Sequence, residues 1–285
     1  MNDEKQPTIG RVLVIAGSDS GGGAGIQADI KTITMLGGYA ATAITALTIQ
    51  NTQGVSGIVP APIPSVTAQM TAILSDIGAD VIKTGMLGDK KLIEAIAQTL
   101  ADHAMGLPRV IDPVMVSTAG DRLLPPAAID TLRAVLIPKA IITPNAPEAG
   151  LLTKRDVFNL DGQRRAAERL LEDGAHAAIV KGGHIEGDTI IDLIATPEGE
   201  IFCEHERVDG TSTHGTGCTL ASATATGIAQ SLKLEDAFKR AQTYVAHAIK
   251  YAPMLGKGHG PLGHEWPIKH PELADNLLNK FKALK

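Results

Sequence analysis

The chain has 285 residues, 44% of them hydrophobic, enough to bury one large core or a core with a small subdomain. Aromatics make up only 3% while glycine supplies 30 residues, which favours small-residue helices packed on parallel strands over an aromatic-rich sandwich. A net charge of −5, with no basic run and no aromatic–basic interleaving, argues against nucleic acid as a main partner.

No apolar run approaches the ~20 residues of a membrane span, and the polar start Met1–Gln6 has no signal-peptide pattern. The two cysteines, Cys203 and Cys218, lie in different segments without metal-type spacing, so a reduced, cytoplasmic enzyme is expected.

In chain order, the apolar run Arg11–Gly17 reads as a buried parallel strand. A glycine-rich loop, Ser18–Gly25, and a helix pattern from Ile26 to Leu36 follow, as in a nucleotide-type βα unit. Gly23-x-Gly25-x-x-Ala28 matches the dinucleotide fingerprint only loosely, because its glycines start beyond the strand end and no acidic residue closes a neighbouring strand. Walker A is absent, since Gly256-Lys257 is followed by Gly258.

Strands are then expected at Tyr39–Leu47, Val81–Thr84, Arg109–Asp112, Ala140–Thr143 and Ala177–Lys181. Helices are expected between them at Ser65–Ile77, Asp89–His103, Ala127–Val135 and Gly162–Glu172. This alternation predicts an α/β fold around a doubly wound, mostly parallel sheet. Thr189–Ala195 and Ile201–Arg207, separated by the turn residues Pro197–Glu200, read as an antiparallel edge hairpin. Helices Gly217–Gln230 and Leu234–Tyr251 follow, and the tail carries Leu273, Leu277, Phe281 and Leu284 at helical spacing, a stripe that packs on the body or on an oligomer neighbour.

Ligands of open α/β sheets bind beyond the C-terminal strand ends. Polar residues recur there: Asp19 and Asp29, Gln50 and Asn51, Lys83 with Met86, Asp112, Asn145 and Glu148, and Lys181-Gly182-Gly183-His184. A shared pocket explains a polar group at every strand end. Asp112, Asn145 and Glu148 are oxygen donors suited to Mg²⁺, although Asn145 as an N-cap and Glu148 as a helix-start carboxylate are equally ordinary readings. Lys181, ending a buried strand beside glycines, is placed for a phosphate.

The stretch Thr213-His214-Gly215-Thr216-Gly217-Cys218-Thr219 opens a small-residue helix. Its glycines allow close backbone approach, and the first helical turn offers unpaired N–H groups to an anion, most naturally a phosphoryl group. Cys218 in that turn reads either as a base or nucleophile favoured by the dipole, or as a small buried residue at a tight junction.

Together these motifs resemble the ribokinase superfamily, and within it the hydroxymethylpyrimidine/phosphomethylpyrimidine kinases of thiamine biosynthesis. The resemblance rests on Ala16–Asp29, Ile44–Thr52, Lys83–Leu87, Asp112–Val116, Thr143–Ala149, Val180–His184, Thr213–Thr219 and Lys257–Pro261, in the family's order. It implies a ribokinase-like three-layer α/β/α sandwich as kinase domain over 11–264, with a tail at 1–10 and a helical extension at 265–285. It also implies ATP- and Mg²⁺-dependent phosphorylation of 4-amino-5-hydroxymethyl-2-methylpyrimidine and then of its monophosphate, by a homodimer.

Carried over by motif, Gly17, Asp29, Gln50, Met86 and Val114 would hold the pyrimidine, with the Gln50 amide reading an aminopyrimidine edge. Lys181, Asn145, Thr213, Thr216 and Lys257 would hold ATP, and Asp112 and Glu148 the Mg²⁺. Gly215 and Gly217 would form the anion hole, with Cys218 as base where sugar kinases of the superfamily use an aspartate.

A pyridoxal kinase is the near alternative. Some pyridoxal-using relatives carry a second cysteine where this chain has Ser117, which argues against it. A pyrimidine or nucleotide sensor would not require base, metal site and phosphate loop together, and a dinucleotide oxidoreductase would tolerate Cys218→Ala. The small residues Ser117–Gly120 suit a mobile flap.

Overall fold

The computed structural model describes residues 9–116, 120, 123–208, 210 and 212–281. The flap residues Ser117, Thr118 and Ala119, residues 1–8 of the expected tail and Leu284 of the C-terminal stripe lie outside the described residues.

The chain begins with β1 (Arg11–Asp19), α1 (Gly25–Met35), β2 (Tyr39–Asn51), β3 (Gly54–Pro60) and α2 (Ile63–Ser75). Three alternating pairs follow: β4 (Val81–Thr84) and α3 (Lys90–His103), β5 (Arg109–Ile111) and α4 (Pro126–Val135), β6 (Ile141–Ile142) and α5 (Ala146–Thr153), after which α6 (Leu160–Glu172) leads to β7 (Ala177–Val180). The hairpin β8 (Thr189–Thr196) and β9 (Gly199–Glu206) precedes α7 (Thr216–Ala229), α8 (Leu234–Lys250), α9 (Trp266–Lys269) and α10 (Pro271–Lys280).

The strands form one sheet in the order β3-β2-β1-β4-β5-β6-β7-β8-β9. Pairing is parallel from β2 through β7 and antiparallel at both margins, so the expected mostly parallel sheet is present. Both faces of the centre are covered, which is why its strands are continuous apolar runs. Along β1, Leu13 and Ile15 enter the core beneath α2, α3, α4 and α6, whereas Val12, Val14 and Ala16 enter the core beneath α1, α7 and α8. Leu277 and Phe281 of the tail join the second core beside Trp266, so the C-terminal stripe packs on this chain's own body.

Two elements differ from the sequence reading. β2 runs four residues past Leu47 and turns into β3, so Gln50 and Asn51 lie within a strand rather than after one. The apolar side chains that would mark this hairpin as buried point outward instead: Leu47 is 54%, Ile49 59% and Val59 53% exposed. The helix α5 is only eight residues long and carries Pro147 in its first turn, so its periodicity is too brief to register.

Topology fixes where a ligand can enter. From β1 the chain crosses to β2 on one side and later to β4 on the other, so the loops after β1 and β4 diverge and leave a crevice at their C-terminal ends.

Candidate active site

A cavity of about 650 Å³ opens along that edge. Gly17, Gln50, Met86, Val114, Asp112, Asn145, Glu148, Lys181, Thr213, Gly215, Thr216, Gly217 and Cys218 all line it. Most of the expected strand-end residues therefore converge on one chamber, from seven separate segments, whereas Asn51 and Lys83 do not line it.

The first end is built from backbone. Gly17 sits where the β1–β2 register shifts, and a Cβ there would come within 2.5 Å of the Met86 methyl. Past it, the Asp19 carboxylate gathers the glycine loop. Oδ1 accepts from Gly21 N at 2.8 Å, and Oδ2 accepts from Gly23 N at 3.0 Å and Ala24 N at 2.8 Å. Nε2 of His214 stands 2.9 Å from the same Oδ2. Burial alone would raise the Asp19 carboxyl, but the His214 hydrogen bond and those from Ala24 and Gly21 outweigh it and hold the group below the usual carboxylate range.

The second glycine loop locks onto the first. Gly215, at φ 87°, is the N-cap of α7, and a Cβ on it would collide with the Gly23 carbonyl. Only glycine meets both demands. No acceptor for the N–H groups of Gly217 and Cys218 is present among the described residues, so the first turn of α7 presents free donors and the positive dipole end to the cavity.

The other end is built from charged side chains. Lys181 Nζ lies 3.6 Å from Asp112 Oδ1, and a Cβ on Gly217 would sit 3.4 Å from Lys181 Nζ and 3.8 Å from Asp112 Oδ2. Both charges therefore stand against the first turn of α7. Burial would lower the Lys181 ammonium, but Asp112 and Glu148 outweigh it and raise it. Asn145 and Glu148 form a capping box at the start of α5: Asn145 Oδ1 accepts from Glu148 N, and Glu148 Oε2 accepts from Asn145 N. Glu148 is buried rather than exposed, and burial pushes its carboxyl up to about 7 against the pull of Lys181.

Asp112 Oδ2 is buried and has no partner among the described residues. Among those residues no cluster of three or more His, Cys, Asp or Glu side chains is set to hold a metal. Two carboxylates, one with an idle oxygen, fit Mg²⁺, which takes one or two protein carboxylates and completes its shell with water and phosphate.

Asp29 and Lys257, expected to touch ligand, are also kept from the cavity. Asp29 is fully buried in α1 and does not line the chamber; Oδ1 accepts from Lys83 Nζ at 2.8 Å and from Ser222 Oγ at 2.6 Å. It anchors a buried ion pair that ties α1, β4 and α7 together. Lys257 lies in an exposed turn away from the lining, with its N–H and that of Gly258 donating to Thr52 Oγ1 of the β2–β3 hairpin.

Cys218 lines the cavity but differs from expectation in its ionisation. Burial, reinforced by Asp29 and Asp112, pushes its thiol up to about 12, and the lowering influence of Lys83 and the Gly25 N–H does not compensate. Desolvation of a thiolate at the floor of the site outweighs the favourable end of the helix dipole.

Sequence reasoning also missed the far wall. Asp192 on β8 accepts from Gly182 N and from Gln242 Nε2, with His205 Nε2 at 3.3 Å. These residues sit in what reads as an ordinary edge hairpin, and only the folding of α8 across it makes them part of the chamber. His214 lies inside the Thr213–Thr219 motif, but its partners Asp19 and Gln50 are remote in sequence.

Residues 19–263 match the phosphomethylpyrimidine kinase family. The hydroxymethylpyrimidine/phosphomethylpyrimidine kinase of Streptomyces coelicolor is 44% identical over 258 residues, covering 90% of this chain and 95% of that protein. The thiamine biosynthesis bifunctional protein ThiED of Geobacter sulfurreducens is 46% identical over 90% of this chain, which spans about half, 52%, of that longer protein.

Among solved structures, phosphomethylpyrimidine kinase from Clostridium difficile superposes with a TM-score of 0.75 at 36% identity, covering 84% of this chain and 99% of that one. Pyridoxal kinase from Staphylococcus aureus in complex with ADP superposes with a TM-score of 0.83 at 33% identity, covering 90% and 94%. The fold is thus common to both activities, and it is the family match over most of the sequence that decides between them: the chain belongs to the phosphomethylpyrimidine kinase family, the phosphotransferases of thiamine biosynthesis.

Proposed function

We propose that this chain is a cytoplasmic, Mg²⁺-dependent kinase that moves the γ-phosphoryl of ATP onto the hydroxymethyl oxygen of 4-amino-5-hydroxymethyl-2-methylpyrimidine, and then a second phosphoryl onto the monophosphate. The observation that carries this reading is the meeting, in one cavity, of an amide reader, a glycine-built anion site and an underpaired carboxylate–lysine cluster.

Gln50 reads the pyrimidine edge while Gly17, Met86 and Val114 enclose the ring. Lys181, Asn145, Thr213 and Thr216 hold the triphosphate, and the free N–H groups of Gly217 and Cys218 receive the transferring phosphoryl. Asp112 and Glu148 would hold Mg²⁺, which when bound offsets phosphate charge.

Cys218 accepts the hydroxyl proton as its thiolate. The alcohol oxygen then bonds to the γ-phosphorus, the bond from that phosphorus to the β–γ bridging oxygen breaks, and ADP leaves with the electron pair. Because burial pushes the thiol up to about 12, the competent thiolate is a minority that grows as pH rises, favoured most by the charge of Lys83, which is itself paired with Asp29.

The exposed apolar face of Leu47, Ile49 and Val59 on the β2–β3 hairpin supports a homodimer in which a second copy covers that face. A pyridoxal kinase shares the fold, but Cys203 points into the core with its thiol pushed up to about 11 by burial, so it offers no aldehyde trap. Ser117, the position that separates the two activities in the sequence, lies outside the described residues.

The test is ATP consumption by the purified protein with the aminopyrimidine alcohol, its monophosphate and pyridoxal side by side. Turnover of the first two ahead of pyridoxal is expected; preference for pyridoxal would move the chain to the other activity.

A further inference from the structure

Four side chains at the first end of the cavity compete for too few protons. Gln50 Nε2 is placed 3.2 Å from His214 Nε2, and Gln50 Oε1 is placed 3.2 Å from Thr48 Oγ1. His214 Nε2 also faces Asp19 Oδ2 at 2.9 Å, while Thr48 Oγ1 donates to the Ser18 carbonyl at 2.9 Å. Asp19 accepts three backbone N–H bonds and is acceptor-only, so the proton between it and His214 belongs to Nε2 of the histidine.

An amide nitrogen facing that N–H would oppose donor to donor. At the other end, the single Thr48 hydroxyl proton is already committed to Ser18, so Oε1 would oppose a second acceptor. Exchanging the two amide atoms of Gln50 resolves both conflicts: Oε1 takes a share of the His214 N–H, and Nε2 donates to Thr48 Oγ1.

Building on the proposed aminopyrimidine substrate, we infer that His214 is a positioning residue that fixes the Gln50 amide with its oxygen towards the phosphate loop and its nitrogen towards β2. The substrate's exocyclic amino group then donates to Oε1 on the His214 side, and a ring nitrogen accepts from Nε2 on the Thr48 side. His214 is suited to hold this register rigidly. It is buried, its backbone N–H donates to the Gly260 carbonyl, its ring packs on Gly23, and it precedes the N-cap of α7. One imidazole thus links the reader of the ring to the loop that receives the phosphoryl group.

The test compares the aminopyrimidine alcohol with the same alcohol lacking the 4-amino group in wild type, His214→Phe and His214→Gln. Wild type is expected to favour the amino compound in kcat/KM by about tenfold or more, as a site built around a substrate N–H does. His214→Phe should bring the two alcohols within about threefold and raise KM for the amino compound about tenfold, while KM for ATP moves less than about twofold. His214→Gln, with an amide nitrogen at the ε position, should keep most of the discrimination.

Equal losses on both alcohols, or a matching rise in KM for ATP, would make His214 merely structural and overturn the inference. If the aromatic variant does not fold, ¹⁵N spectra of the wild-type imidazole decide. A proton on Nε2 in the protein without ligand is expected, and an unprotonated Nε2 refutes the assignment. Wild type that turns over neither alcohol would refute the proposed substrate, while the ring spectra would still judge His214 by itself.

Discussion

The two ends of the cavity are built on opposite principles. At the glycine-loop end, the Asp19 carboxylate is saturated by three backbone N–H groups and His214, and Gly215 fits against Gly23 with no space for a side chain. At the β5–β7 end, Asp112 keeps a buried oxygen without a partner among the described residues, Lys181 stands 3.6 Å off, and burial raises the Glu148 carboxyl to about 7. A satisfied network is rigid before substrate arrives, whereas an underpaired cluster of charges is completed by ions. The difference assigns shape recognition to the first end and charge handling to the second, with Cys218 between them.

The largest effect should come from that junction. Cys218→Ala is expected to lower kcat by about 10²–10⁴-fold with the fold intact, read by steady-state kinetics beside circular dichroism. A variant with near-normal turnover would show the thiol to be structural. Wild-type kcat should also climb with pH well above 8, because a thiol held at about 12 gains thiolate as pH rises; the Cys218→Ala residual rate should lack that climb.

Next comes the rigid end. Gly215→Ala places a Cβ into the Gly23 carbonyl at a left-handed φ, so about 1–3 kcal/mol of stability and about 10²-fold in kcat should be lost together. Unchanged urea midpoint and kcat would break the claim that this loop is preorganised.

The charged end gives a smaller, pH-dependent effect. The folded Glu148 carboxyl keeps its proton up to about 7, whereas in the unfolded chain it ionises near 4.5, so this group makes stability fall as pH rises between those values. Metal binding needs the carboxylate, so apparent Mg²⁺ affinity should weaken as pH falls below about 7. Glu148→Gln should flatten both dependences in a thermal-melt series.

The smallest effect on catalysis is expected from the outward face of the hairpin. Leu47→Lys with Ile49→Lys should lower the oligomer mass seen by light scattering while kcat changes by less than about threefold. A monomeric wild type would remove the dimer.

How much of this was legible follows the same division. The parallel core could be read because strands buried on both faces are uniformly apolar, as in Val12–Ala16. The strand-end polar residues could be read because α/β topology fixes which end of each strand binds, and Asp112, Asn145, Glu148 and Lys181 all follow that rule. Asp29 could not be assigned, since a carboxylate one helical turn beyond a glycine loop looks alike whether it faces ligand or a buried lysine from a distant strand. Lys257 followed its motif to a turn on the hairpin, a placement set by Thr52 some two hundred residues away. The ionisation of Cys218 depends on how much water reaches it, which no local pattern encodes.

The most direct test of the contrast is the thermal midpoint of wild type and Asp112→Asn with a non-hydrolysable ATP analogue, with and without Mg²⁺. The account predicts that Mg²⁺ and analogue together raise the wild-type midpoint by several degrees more than the analogue alone, that this extra gain shrinks as pH falls below about 7, and that Asp112→Asn lacks it. An equal gain with and without Mg²⁺, or one that survives in Asp112→Asn, would contradict the assignment of the underpaired end to metal and triphosphate.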